Sequence, residues 1–153
     1  MNHNIKLSPS FDLRTLSFCG IPELDEKNFQ YALENPKILQ NLTVLCSKLE
    51  VLQKYLKTDL IIIKGVVSPE VNKLLLESSN KSPHMEGVAI DFICPEIGTA
   101  YQICNKILKI YFLFDQLYNE KTFVHMSLRD TNRMLVMTRA SPGAPYLAGI
   151  QNI

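Results

Sequence analysis

Two histidines of this 153-residue chain lie in segments whose residue types could bind a metal ion. Residues 82–91 read Ser-Pro-His-Met-Glu-Gly-Val-Ala-Ile-Asp, and residues 123–127 read Phe-Val-His-Met-Ser. A carboxylate in the middle of an apolar strand is costly unless it is paired or bound to a cation. Residues 88–94 and 123–128 are both predicted to be strands. If these strands are neighbours, His84, Asp91 and His125 converge on one face of the sheet.

Two imidazoles and one carboxylate are a suitable ligand set for Zn²⁺, and they leave a fourth position open for water, as a catalytic site requires. A simpler interpretation is that the histidines are ordinary hydrogen-bonded polar residues and that Asp91 caps a neighbouring segment. The spacing alone leaves both interpretations open. Ser82 and Ser127 are candidates for hydrogen-bond partners that orient the ligands, or are ordinary polar residues of a loop and a strand.

The elements that must position these residues predict an α+β fold. Apolar residues spaced three and four apart predict a long helix from near Pro36 to before Thr58, and a β-branched run at 60–63 predicts a buried strand. Ser68 followed by Pro69 has the form of a helix N-terminus. Further strands are predicted at 88–94, 112–118, 123–128 and 134–138, and a further helix from Pro95. Because short turns separate most strands, we expect a small, largely antiparallel sheet with helices packed on one side.

The two ends of the chain differ in composition from the predicted central domain, 35–138. Residues 1–34 mix apolar side chains with proline and glycine, which predicts an irregular arm with short helical turns that packs on the domain. Residues 139–153 contain Pro142-Gly143 and Pro145, which predict an extended surface tail without regular structure. Either end is a candidate contact for a protein partner in an assembly.

Composition excludes several classes of function. With 16 Lys and Arg against 15 Asp and Glu, we expect no general attraction to nucleic acid or to an anionic membrane. No apolar run approaches the ~20 residues that cross a bilayer, and no secretory signal is visible, so we expect cytoplasmic synthesis without membrane insertion. The four cysteines form no CxxC pair, which favours free thiols. The absence of a glycine-rich phosphate loop argues against a nucleotide cofactor.

Three motifs together resemble the zinc D-alanyl-D-alanine carboxypeptidase family. They are Ser-x-His-x-x-Gly-x-Ala-x-Asp at 82–91, Phe-Asp-Gln-Leu at 114–117 and Val-His-Met-Ser at 124–127. Residues 65–72 are also similar to the strand-to-helix turn of that family. The resemblance covers roughly residues 30–130 in the family's order and spacing. The family includes bacterial and phage peptidoglycan peptidases, and its fold is related to that of hedgehog-type domains.

The resemblance implies an activity and a role for each site residue. His84, Asp91 and His125 are implied to bind zinc, and Glu120 is the candidate general base, although many relatives place the acid where this chain has Thr122. The implied reaction is hydrolysis of peptidoglycan stem peptides by zinc-activated water, of the D-Ala-D-Ala carboxypeptidase or endolysin type. The substrate would then be a cell-wall peptide.

One departure from the family supports an alternative function. Active relatives commonly read Ser-Gly-Tyr-Arg-Ser at the strand-to-helix turn, whereas residues 64–68 here read Lys-Gly-Val-Val-Ser. Val67 cannot supply a cation to stabilise an oxyanion, and strand alternation predicts that Lys64 faces away from the site. The alternative is a catalytically impaired or inactive structural module, for example of a phage particle or injection apparatus. Either protein would be virion-associated or released to the cell wall by another component.

Overall fold

The computed structural model describes residues 3–75 and 79–153. Within these residues the chain is an α+β protein, as predicted, with helices packed on one side of a largely antiparallel sheet. The elements are α1 (Leu13–Leu16), α2 (Pro22–Glu34), α3 (Pro36–Leu56), β1 (Ile61–Lys64), α4 (Pro69–Leu74), a 3₁₀ turn (Pro83–Glu86), β2 (Ala89–Ile93), α5 (Ala100–Lys109), β3 (Gln116–Asn119), β4 (Val124–Ser127), β5 (Leu135–Thr138) and β6 (Leu147–Ala148).

The strand order places β2 and β4, the strands that carry Asp91 and His125, side by side. Among the described residues the sheet has six strands in the order β1-β2-β4-β3-β5-β6. Four of the five neighbouring pairs are antiparallel, and β3 and β5 are parallel. A short connection joins β3 to β4, so this pair forms a hairpin. The prediction that the strands carrying Asp91 and His125 are neighbours is confirmed.

Alternation along the strands separates an apolar face from a polar face. On the apolar face, Ile90, Phe92 and Met126 are fully buried in the hydrophobic core with the helices. Helix α3 contributes a stripe of buried leucines to this core, namely Leu42, Leu45, Leu49, Leu52 and Leu56. Each such side chain stabilises the fold by about 1.5–3 kcal/mol through burial. The opposite face of β2 and β4 carries Asp91 and His125.

Helix boundaries follow capping chemistry, which confirms some predictions and corrects others. Helix α3 begins at Pro36, and the Ser68 hydroxyl accepts a hydrogen bond from the Val71 backbone N–H at the start of α4. The predicted helix start at Pro95 was wrong, because α5 begins at Ala100 after Thr99, whose capping box supplies the N-terminal hydrogen bonds.

The two ends of the chain are more ordered than the sequence suggested. The N-terminal arm contains the 13-residue helix α2, so the prediction of short helical turns alone was wrong. A proline at the first position of α2 favours this start. In the tail, Leu147–Ala148 pairs with β5, so the prediction that the tail lacks regular structure was also wrong.

The cysteines are free thiols, as predicted. Cys46, Cys94 and Cys104 are buried, and Cys19 is partly buried. Burial raises the pKa of the Cys46 and Cys104 thiols to about 12, so both remain protonated and unreactive at neutral pH. Among the helices in the described part of the chain, none combines the length and the apolar character needed to span a membrane.

Candidate metal centre

Sheet register and a short 3₁₀ turn bring three metal-ligating side chains together. In the β2–β4 pair Asp91 lies directly opposite His125. His84 lies in the 3₁₀ turn just before β2, and the Ser82 hydroxyl accepts a hydrogen bond from its backbone N–H at 3.3 Å. One donor atom from each of His84, Asp91 and His125 lies within 4.8 Å of the others. This group is close enough to bind one metal ion.

The hydrogen bond from His84 to Gly65 fixes which ring nitrogen faces the centre. His84 Nδ1 lies 2.8 Å from the Gly65 carbonyl oxygen, which can only accept, so Nδ1 carries the hydrogen. Burial lowers the pKa of His84 and favours the neutral ring. Nε2 of the neutral ring therefore presents its lone pair to Asp91 Oδ1, 3.1 Å away.

Gln116 fixes the orientation of His125 in the same way. His125 Nε2 donates to the Gln116 side-chain oxygen at 3.0 Å. In a neutral ring, Nδ1 then presents its lone pair to Asp91 Oδ1 at 2.8 Å. The His125 side chain is 12% exposed, whereas those of His84 and Asp91 are 4% and 5% exposed. The centre is therefore nearly enclosed, and His125 is the most exposed of its three residues.

The charge state of Asp91 completes the donor set. Burial by itself raises the pKa of Asp91, but the interactions with His84 and His125 hold this pKa well below its ordinary value, so Asp91 is ionised. The ring nitrogens that face Asp91 Oδ1 are the two not hydrogen-bonded to Gly65 or Gln116, so each can donate a lone pair to a metal ion that takes the place of a proton. The residues therefore fit a divalent metal ion, with the oxygen of Gly65 and the amide of Gln116 orienting the ligands.

Lys64 also reaches this centre, contrary to the sequence prediction. Strand β1 contains a bulge, so Ile62 pairs with Phe92 but Lys64, rather than Ile63, lies opposite Asp91. One extra residue shifts the alternation and turns Lys64 to the polar face. Its Nζ atom lies 3.3 Å from Asp91 Oδ2. The prediction that Lys64 faces away was wrong because the sequence does not reveal the bulge.

Gly65 allows the backbone of β1 to approach the N-terminal arm. Its N–H donates to the Phe18 carbonyl at 3.0 Å, and the Val66 N–H donates to the Leu16 carbonyl at 2.6 Å. A Cβ atom on Gly65 would lie 2.0 Å from the Leu16 carbonyl oxygen, so a larger residue would force the two segments apart. The arm thereby supports the carbonyl that orients His84.

Val67, at the turn between β1 and α4, is a buried side chain. It is 1% exposed, and its backbone N–H donates to the His84 carbonyl at 3.2 Å. The side chain packs in the interior and presents no charge to the centre. Among the described residues, the cation in contact with Asp91 is instead Lys64.

Glu120, the candidate base, directly follows β3, the strand that pairs with the strand of His125. In the β3–β4 hairpin Tyr118 is opposite His125, and Glu120 follows two residues later on the same face. Its Oε2 atom accepts a hydrogen bond from Arg139 Nε at 2.8 Å, and its Oε1 atom accepts one from the Tyr146 hydroxyl. Both carboxylate oxygens of Glu120 therefore have partners within the chain, and Glu120 is not in the group of His84, Asp91 and His125 whose donor atoms lie close together.

Ser127 belongs to a separate polar cluster that supports the end of β4. Its hydroxyl donates to Asp115 Oδ2 at 3.3 Å, and Asp115 also accepts two hydrogen bonds from Arg133 at 2.8 Å and one from Thr131. The hydrogen bonds from Arg133 hold the pKa of Asp115 well below its ordinary value. Because Asp115 immediately precedes Gln116, this cluster anchors the start of the strand that orients His125.

The site residues form one row across the sheet. The pairings align Lys64 with Asp91, Asp91 with His125, His125 with Tyr118, and Tyr118 with Met137. Neighbouring strands lie about 4.8 Å apart, so this row is roughly 19 Å long. It runs from a cation, through the metal ligands, to an aromatic and an apolar side chain. An extended ligand laid across the strands would meet these chemistries in that order.

Comparison of the chain with protein-family models, curated proteins and solved structures found no significant match. The class that fold and site define is an α+β protein with a buried His-Asp-His group close enough to bind a metal ion.

Proposed function

We propose that this protein is a zinc-dependent peptidase that hydrolyses the stem peptides of bacterial peptidoglycan. The observation that carries the proposal is the convergence of His84 Nε2, Asp91 Oδ1 and His125 Nδ1, with both rings oriented by hydrogen bonds from their other nitrogens. Zinc suits two imidazoles and one carboxylate. The choice of peptidoglycan as the substrate rests on the sequence resemblance.

The number of donors favours a catalytic site over a structural one. Structural zinc sites are usually closed by four protein ligands, whereas catalytic sites keep a position for water or substrate. The group found among the described residues supplies three donors, and His125 is the most exposed of the three residues. Zinc bound here would act as a Lewis acid on water and on the scissile carbonyl.

The chain's own residues supply the remaining functions of a hydrolase. Glu120 would accept a proton from the attacking water and return it to the leaving amine. Lys64 supplies a positive charge beside Asp91, where it can attract an anionic group of the substrate. Tyr118 is buried, with its ring against those of His125 and Tyr146, and would support the position of His125. The D-Ala-D-Ala carboxypeptidase and endolysin types of cleavage both suit this arrangement.

A direct assay tests the proposal. Zinc-loaded protein is incubated with purified peptidoglycan of several chemotypes and with a peptide ending in D-Ala-D-Ala, and the released fragments are identified by mass spectrometry. We expect cleavage next to a D-amino acid by the wild-type protein and none by Asp91→Asn. Absence of product from every substrate with zinc-loaded protein would contradict the proposed activity.

The second candidate is an inactive, peptidase-like module that functions in assembly, for example in a phage particle or injection apparatus. The buried Val67 favours it, since the cation that relatives carry at this position is missing. The substrate assay separates the two candidates. A peptidase releases fragments from at least one substrate, whereas an inactive module binds zinc and releases none from any of them.

A further inference from the structure

The segment after β5 contains the edge strand β6 and brings the ring of Tyr146 against Tyr118, which lies opposite His125. We call residues 139–151 the C-terminal strap. At its start the Arg139 N–H donates to the Asn119 carbonyl at 2.9 Å. At its end the Thr138 hydroxyl donates to the Gly149 carbonyl at 2.8 Å, and the Asn119 side chain donates to the Gln151 carbonyl at 2.9 Å. Both ends of the strap are therefore fixed next to β3.

Between these anchors the strap directs two side chains at Glu120. Arg139 donates to one carboxylate oxygen and the Tyr146 hydroxyl donates to the other. The Arg139 guanidinium also lies over the Tyr146 ring, 4.8 Å from its centroid. The side chains of Glu120 and Arg139 are only 6% and 18% exposed. These contacts restrict the carboxylate to one orientation.

A series of ring contacts links Tyr146 to the metal ligands. The ring centroids of Tyr146 and Tyr118 are 5.0 Å apart, and those of Tyr118 and His125 are 5.2 Å apart. Burial and the nearby Glu120 raise the pKa of Tyr146, so its hydroxyl remains a hydrogen-bond donor at neutral pH. Through Tyr146 and Tyr118, the strap therefore connects the Glu120 carboxylate to His125 by successive side-chain contacts.

We propose that Tyr146 is a positioning residue of the catalytic site, which acts by holding the Glu120 carboxylate beside the metal-ligand face. This inference rests on the proposed function, because it requires Glu120 to act as the general base. The C-terminal strap is then part of the active site and not only a surface tail. The competing role is structural: Glu120 would serve only to fasten the strap.

Kinetics distinguish these two roles. Tyr146→Phe removes one hydroxyl, and we expect kcat to fall about 10-fold or more, since a correctly placed general base contributes about 10²–10⁴-fold. KM and zinc content should stay unchanged. The melting temperature should fall because a buried Glu120 oxygen loses its partner, so kcat is measured at a temperature where both proteins are folded. The matched control is Tyr111→Phe, because Tyr111 is 89% exposed. A wild-type kcat in Tyr146→Phe would overturn the inference.

A double-mutant cycle asks whether Tyr146 acts through Glu120. Glu120→Gln should retain zinc and lose turnover. Tyr146→Phe should then cause no further loss in the Glu120→Gln background, because residues that act as a unit are not additive. Independent, additive losses would overturn the inference even if each single variant is impaired.

A spectroscopic measurement tests the placement without relying on turnover. Protein labelled with ¹³C at the tyrosine Cζ carbons is titrated with Zn²⁺, and Tyr146 is assigned by its loss in Tyr146→Phe. We expect the Tyr146 resonance to move on Zn²⁺ addition and again in Glu120→Gln, while the exposed Tyr111 does not move. A Tyr146 resonance that responds to neither change would overturn the inference. If the wild-type protein cleaves no substrate, the proposed function fails, and this measurement alone decides whether Tyr146 holds Glu120 beside the metal site.

Discussion

Lys64 and Asp91 form an ion pair across the bulge in β1, with Lys64 Nζ 3.3 Å from Asp91 Oδ2. The other carboxylate oxygen, Oδ1, faces the lone-pair nitrogens of His84 and His125. One buried carboxylate therefore serves both a fixed cation and a metal site. Because the two oxygens have separate partners, the metal site and the ion pair can be tested separately.

Removal of a metal ligand should abolish metal binding. We expect the wild-type protein, purified without added zinc, to contain about one equivalent of zinc, as a single site of this kind requires. His84→Ala and Asp91→Ala should each lose it, as measured by elemental analysis. His3→Ala is the matched control, because His3 is exposed. Full zinc content in both site variants would show that the metal binds elsewhere.

Gln116 should control metal affinity through His125. Gln116→Leu removes the oxygen that accepts from His125 Nε2, and loss of such an orienting partner typically lowers metal affinity about 10- to 100-fold. Gln116→Glu keeps an acceptor and should retain affinity. Competition with a coloured chelator measures the metal affinity of both variants. The exposed Gln40 provides the control Gln40→Leu, and equal affinities in Gln116→Leu and this control would contradict the assigned tautomer.

Lys64→Met should destabilise the metal-free protein more than the zinc-loaded protein. Without the ammonium group, Asp91 Oδ2 loses its cationic partner, and an unpaired buried polar group costs about 1–3 kcal/mol. Bound zinc offsets part of this cost by neutralising the same carboxylate. Urea unfolding with and without zinc measures the difference. The control is Lys37→Met at an exposed position. If Lys64→Met loses the same free energy of unfolding with and without zinc, Asp91 does not serve both Lys64 and the metal ion.

The Asp115–Arg133 pair should make stability depend on pH in the acid range. Because Arg133 lowers the pKa of folded Asp115, the pair contributes stability above the unfolded pKa of about 3.9 and loses it as pH falls further. Arg133→Met should therefore lower the free energy of unfolding at pH 7, because the buried Asp115 carboxylate loses two hydrogen bonds and its cationic partner. The difference in the free energy of unfolding between Arg133→Met and wild type should become smaller below about pH 4.

The control for this prediction is an exposed ion pair. Lys27 pairs with Glu70, and their side chains are 46% and 67% exposed. Lys27→Met should change stability by less than about 1 kcal/mol. Urea unfolding at a series of pH values measures both variants. If the difference in the free energy of unfolding between Arg133→Met and wild type stays constant across the acid range, Asp115 is not its source.

Much of the fold was predictable because local physics determines it. The leucine spacing of α3 and the Ser68-Pro69 helix start depend on neighbouring residues alone, and both are confirmed. The helix in the arm and the strand at Leu147–Ala148 were missed. Weak local patterns such as these become ordered when they pack against the rest of the domain, which a single sequence does not display.

Part of the candidate site was also predictable from the sequence, and part was not. His84, Asp91 and His125 were identified from residue type and strand alternation, because a carboxylate in an apolar strand needs a partner. Their hydrogen-bond partners, Gly65 and Gln116, were not identified. The hairpin register could have indicated Gln116. This residue lies two positions before Tyr118, which is opposite His125, so Gln116 and His125 are on the same face of the sheet. Gly65 offered no comparable signal, because its contribution is a backbone carbonyl.

By itself the sequence determined the fold class, the apolar stripe of α3 and the three residues that could bind a metal, since each depends on residue type and short-range periodicity. Only the tertiary structure decided how these residues meet. It turned Lys64 toward Asp91 through a bulge, oriented both imidazoles, and brought Tyr146 from the far end of the chain to Glu120. These contacts join residues far apart in sequence, and their geometry follows from strand order, register and packing of the whole chain.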